Sequence, residues 1–199
     1  VFHESGVLVS GIIGGLYSST ATISVLARKS RKASAQEANE YVAAMLLAVS
    51  MMFLRFMILI LIFSREIFMS IYPYLLIMSV VAAVVAWFIH SRQRRSKDLS
   101  ADSEEEDSSN PLEFKVALIF ATLFVIFTVL THYTLVYAGT GGLNLLSFVS
   151  GFSDITPFIL NLLQNTGSVA ALIITACSMQ AIISNIMVNM FYALFFAGK

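Results

Sequence analysis

The chain is dominated by long apolar runs. Near residues 6–27, 41–63, 67–90, 114–136, 143–163 and 169–196 it carries six mostly apolar segments, each near the ~20 residues a helix needs to cross a bilayer. No segment alternates in the manner of a barrel strand. The expected fold class is therefore all-α: a polytopic transmembrane helix bundle of six spans. Composition agrees, with 58% hydrophobic and 12% charged residues, where an average soluble domain has roughly 45–50% and 25%. The lipid bilayer is the first partner. Net charge is zero, so nothing favours nucleic acid as a partner. The single cysteine, Cys177, allows no disulfide within the chain. The opening "VFHESG" has neither a basic leader region nor an initiator methionine. We expect one transmembrane domain over 1–199, the C-terminal part of a longer protein.

Start signals and charges orient the spans. Ser34 and Glu37 are spaced as a capping box before the second. Pro73 lies close to the start of the third, where a missing N–H does least harm. Asn110, Pro111 and Glu113 read as cap, first helical position and first-turn acid of the fourth. Arg28, Lys29, Arg31 and Lys32 follow the first span; Arg92, Arg94, Arg95 and Lys97 follow the third; Lys115 opens the fourth. Only Arg65 and Lys199 lie opposite, nine basic residues against two. The basic side is cytoplasmic by the positive-inside bias, which puts loops 28–40 and 91–113 inside and both chain ends outside. Residues 91–112, basic then acidic, read as a mobile charged linker.

Two spans have polar centres: "GGLYSSTAT" (14–22) in the first and "SGFSDITPF" (150–158) in the fifth. Gly15 can be set on Gly151, Ser18 on Asp154 and Thr20 on Thr156, with "SMMFLR" (50–55) on "SNIMVN" (184–189), so that Arg55 meets Asn189. This suggests an internal repeat of spans 1–2 and 5–6, parallel in sense because each pair crosses the same way. A repeat would call for a partner of the fourth span ahead of the first.

The polar centres hold the residues able to do chemistry. Gly11, Gly14, Gly15, Ser18, Ser19 and Thr22 form one small-residue stripe. Such a stripe lets helices pack closely, and its hydroxyls and carbonyls can instead line a polar path where a helix breaks. Asp154 is the only acid deep within a span; a charge there needs a partner or water. Pro157 removes the hydrogen bond to the Ser153 carbonyl and should kink the helix. A carboxylate with freed carbonyls and hydroxyls suits a hard cation, with Asp154 as the metal ligand. Arg55 is the only deep base, ~10 residues from the outer edge by helix length. It can snorkel, pair with Asp154 or attract an anion. Asn185 and Asn189 read as interhelical hydrogen-bond donors or pore lining. Cys177 and nine methionines read as packing. We expect Ser18, Ser19 and Thr20 to oppose Ser153, Asp154 and Thr156 around a polar chamber with Asn185 and Arg55, and Gly11, Gly14, Gly15 and Gly151 to serve helix packing. No cofactor and no catalytic motif is indicated, so no enzyme is expected.

"GIIGGLYSSTATISVLARKSR", "MFLR", "NPLEFKVAL", "SGFSDI" and the late "SN" together resemble the bacterial domain of unknown function 4010, over nearly the whole chain. The resemblance implies a membrane domain found behind an MgtC/SapB-type membrane domain, whose members often carry a magnesium-transport label taken from that neighbour. It also implies a lysine where this chain has Asn189 and a second acid where it has Thr156. The expected function is small-ion transport, a cation first, in the bacterial inner membrane, with the preceding domain or a second copy as protein partner. The alternative is a non-transporting regulator or scaffold whose glycine stripe packs on a partner.

Overall fold

The structure, a computed structural model, describes residues 2–94, 112–165, 167 and 169–197. These form α1 (Phe2–Lys32), α2 (Ala35–Phe63), α3 (Arg65–Arg94), α4 (Leu112–Ser150), α5 (Ile155–Gln164) and α6 (Ala171–Ala197), with no strand among the described residues. Of the expected linker 91–112, residues 91–94 end α3 and Leu112 opens α4, while 95–111, with the Asn110-Pro111 start signal, lie outside the described residues. Burial is reversed relative to a soluble protein. Ser19, Ser50, Ser150, Asn161, Asn185 and Asn189 are buried, while Ile62, Trp87, Tyr137 and Leu172 are more than two-thirds exposed. Apolar side chains facing outward all along the helices suit hydrocarbon, and polar ones must find partners inside. Five helices are long and apolar enough to cross a membrane; α5 is not.

Contacts divide the chain into two compact units. The first takes the described residues of Val1–Ile62, Ile71–Ser103 and Met187–Lys199; the second takes Phe63–Ser70 and those of Glu104–Ile186.

In the first unit, α1 is not one straight rod. Ser18 leaves helical geometry (φ −155, ψ 105) and separates α1a, 2–17, from α1b, 19–32. A β-carbon built on Gly11 would strike the Ala44 carbonyl, and one built on Gly15 would lie 2.5 Å from the Ala48 Cα. Residues four apart on α1a thus meet residues four apart on α2 in the same order, so α1a and α2 run in the same direction. The short link before Ala35 then forces α1b to travel back along them. The contact of Gly14 with the Thr22 side chain across the break agrees with this fold-back. So does one cluster that gathers Val7 and Leu8 around Ile23, Leu26, Ala27, Ala44 and Ala48. The expected first span is therefore a helical hairpin with its tip at Ser18. Its open end carries both the start of α1 and the basic residues 28–32. Ala193, Phe196 and Ala197 of α6 pack on the same cluster, and the Arg28 guanidinium sits 4.5 Å from the Phe196 ring centroid. Both described chain ends thus lie on the side of the basic loop, correcting the expectation that they lie opposite it. The C-terminal end of α6 thus lies beside the first half of α2.

Within the same unit α2 and α3 are antiparallel, closed at mid-length by Ser50 and Ser79. Each hydroxyl reaches the other's carbonyl (3.0 and 3.2 Å) and the two oxygens are 2.9 Å apart. The capping box forms as read: Ser34 N–H donates to Glu37 Oε2 (2.9 Å) and Glu37 N–H to Ser34 Oγ (3.4 Å). Pro73 lies inside α3, beyond its first turn, so its placement at the helix start is corrected.

In the second unit, α4 turns at Gly139, whose φ of +58 only glycine adopts without strain. This separates α4a, 112–138, from α4b, 140–150. The Cys177 thiol donates to Asn144 Oδ1 (3.5 Å), and a β-carbon on Gly151 would strike Ser184. The order is again the same on both helices, so α4b and α6 run in the same direction. The chain between them, including α5, must therefore return to the Gly139 end. The expected fifth span is a second re-entrant segment rather than a continuous helix. α5 packs on α4a through Phe127 against Phe158 (5.7 Å between centroids) and Asn161 Nδ2 donating to Thr128 Oγ1 (2.8 Å).

Candidate functional site: two hairpin tips

Each unit contains one interrupted helix, and each interruption is built alike. Gly11 and Ala44, Gly15 and Ala48, Asn144 and Cys177, Gly151 and Ser184 are all contacts across 33 residues. Gly15 therefore does correspond to Gly151 and Ser18 to Asp154, as aligned from sequence. The register of the following helix is corrected by two residues: Ala48, not Ser50, takes the place of Ser184, and Arg55 no longer falls on Asn189. Lipid gives no hydrophobic force between helices, so close backbone approach at glycine is what holds each first limb to the helix that follows.

At the first tip, Ser18 caps α1b. Its hydroxyl accepts the Ala21 N–H at 3.4 Å, and its carbonyl accepts the Thr22 hydroxyl at 2.8 Å. Ser19 is buried and Thr20 half-buried, the Thr20 carbonyl accepting from the Ser24 hydroxyl at 2.8 Å. The last carbonyls of α1a have lost their helical donors. Arg55 reaches them from α2: its Nη1 donates to the Tyr17 carbonyl at 2.7 Å and the Leu16 carbonyl at 3.3 Å. Gly14 faces Thr22 on α1b, across the hairpin itself, while Gly11 and Gly15 face α2.

At the second tip, α4b ends at Ser150 and Asp154 caps α5, its Oδ1 accepting the Thr156 N–H at 2.9 Å. A carboxylate here faces the positive end of the helix dipole. Pro157 sits in the first turn of α5, where its absent N–H costs nothing, so it does not kink a running helix as expected. Ser153 donates to the Ser150 carbonyl from its N–H (3.1 Å) and its hydroxyl (3.2 Å). Asn185, buried on α6, donates to the Gly151 carbonyl at 3.1 Å and the Ser153 carbonyl at 3.5 Å. Thr156 is buried beside them in sequence.

The candidate residues thus fall into two separate sets. Gly11, Gly15, Ser18, Ser19, Thr20 and Arg55 belong to the first unit; Gly151, Ser153, Asp154, Thr156 and Asn185 belong to the second. Sequence reading missed Ser184, whose hydroxyl donates to the Phe148 carbonyl at 2.7 Å while the residue packs on Gly151. The readable signal was its 33-residue spacing from Gly151, matched by Ala48 from Gly15. The Ser50–Ser79 pair was also missed, since serines in apolar helices carry no mark of their partner.

No solved structure matches the chain. An uncharacterized protein of Aquifex aeolicus (strain VF5) is 24% identical over 194 residues, covering 96% of this chain and 83% of the relative. The sequence profile of the family described as Domain of unknown function (DUF4010) matches residues 1–197. The chain belongs to that family.

Proposed function

We propose that the chain is an ion-transport domain that moves a small cation through a bacterial inner membrane, with Asp154 as the cation ligand. The observation that carries this reading is the second hairpin tip. A half-buried carboxylate stands there among buried hydroxyls and irregular backbone, inside a segment that is otherwise apolar. Irregular backbone at membrane depth is tolerated where it is buried in protein or lines a water-filled cavity, and interrupted helices are the usual site of ion coordination in transporters. Ser153 and Thr156 supply neighbouring oxygens for a hard cation. Ser18, Ser19 and Thr20 line the other tip, where Arg55 disfavours a cation.

The basic-residue bias puts loops 28–40 and 91–113 in the cytoplasm, and with them both described chain ends. An MgtC/SapB-type domain ahead of this one, or a second copy, is the protein partner we favour. The scaffold alternative loses its main support, because Gly11 and Gly15 are occupied by α2 of the same chain. The test is cation flux into liposomes, read with a Mg²⁺-sensitive dye and a Na⁺ tracer. Asp154→Asn keeps a capping side chain and should reduce flux at least roughly tenfold, with helix content unchanged. Flux equal to that of protein-free vesicles, or an Asp154→Asn variant that transports normally, would overturn the reading.

A further inference from the structure

We propose that the carbonyl end of α1a is a cation-binding site permanently filled by the protein's own guanidinium, and that Arg55 holds the first hairpin tip shut in this way. The inference does not rest on transport. A helix interrupted at Ser18 leaves its C-terminal carbonyls without amide donors and with the negative end of the helix dipole. In a membrane each such group must be satisfied by protein. Arg55 supplies hydrogen bonds to two of them, at 2.7 and 3.3 Å, from one nitrogen. Its guanidinium carbon lies 5.2 Å from the Phe56 ring centroid, so an aromatic wall borders the same cation. Two carbonyl oxygens, a dipole end and a ring make a site for a small planar organic cation. At the second tip a neutral amide, Asn185, does the corresponding work, so a fixed charge is not a geometric necessity of the turn. At the first tip it fixes the sign of the site.

Arg55→Ala should leave this site empty, and free guanidinium or methylguanidinium should refill it. The measurement is amide hydrogen exchange over residues 14–22 of the full chain in lipid nanodiscs. In Arg55→Ala we expect exchange faster by roughly tenfold, returning to within about twofold of wild type in millimolar guanidinium. Sodium at the same concentration should not restore it. Arg55→Lys keeps the charge with one compact donor and should exchange at a rate between those of wild type and Arg55→Gln, which removes the charge. It also carries the test if the alanine variant does not fold. Wild-type exchange in Arg55→Ala, restoration by sodium as good as by guanidinium, or Arg55→Lys as fast as Arg55→Gln would overturn the assignment.

Discussion

The two hairpin tips solve one backbone problem with opposite charges. Both interrupt an apolar segment, both place a glycine against the next parallel helix, and both cap the returning limb with the residue three positions on. At Ser18 the cap is neutral and the charge, Arg55, sits on the carbonyl end of the incoming limb. At Asp154 the charge is the cap itself, on the amide end of the outgoing limb, and a neutral amide attends the carbonyls. Each charge complements the dipole end it meets. The lesson is that a repeated backbone need not repeat its electrostatics.

The glycines offer the strongest means of breaking this comparison. Gly15→Ala forces a β-carbon into the Ala48 backbone, and Gly151→Ala forces one chiefly into the Ser184 side chain. Each should cost about 1–3 kcal/mol, read from the unfolding midpoint by Trp87 fluorescence in detergent. Only the second should be relieved by a change on the facing helix: Ser184→Gly should recover part of the loss, while Ala48→Gly should recover none for Gly15→Ala. Equal rescue at both tips would mean that the two seams differ less than the contacts indicate.

Asn185→Ala comes next. It strips the donor from the Gly151 and Ser153 carbonyls and should cost about 1–3 kcal/mol in the same unfolding experiment. A neutral outcome would show that the second tip needs no attendant. Asp154→Ala removes a cap and should destabilise by about 1 kcal/mol, whereas Asp154→Asn should change stability little. If both destabilise equally, the carboxylate holds more than the Thr156 amide. The smallest effect should come from Ser18→Ala, about 0.5 kcal/mol, since its cap bond is long at 3.4 Å. A loss as large as that of Asp154→Ala would make the two caps equivalent.

The membrane class, the Ser34–Glu37 box and the two polar centres were legible because each depends on local residue types. The fold-back at Ser18 was not. Nothing in "LYSST" compels serine to leave the helix, and the run from Gly6 has the length and apolarity of a span. What decides the matter is nonlocal: Gly11 and Gly15 fit Ala44 and Ala48 only if α1a runs along α2. The repeat register was hidden for a related reason. Ala48 and Ser184 are interchangeable at a contact that requires only smallness, so alignment was drawn to the more conspicuous Ser50 and Arg55. Asp154 and Arg55 were legible as special because charge is costly in lipid. The backbone groups they meet, the Thr156 amide for one and the Leu16 and Tyr17 carbonyls among others for the second, leave no trace in side-chain identity.

The clasp between Ser50 and Ser79 bears on movement. Its three short contacts all lie at one level of the α2–α3 pair. Advancing α3 by a single residue would shift that level by about 1.5 Å and swing the serine about 100° round the helix, out of reach of its mate. The pair therefore has one notch and no neighbouring one. Sliding is denied to these two helices, and any motion they share must be a tilt or a swing taken as a single beam.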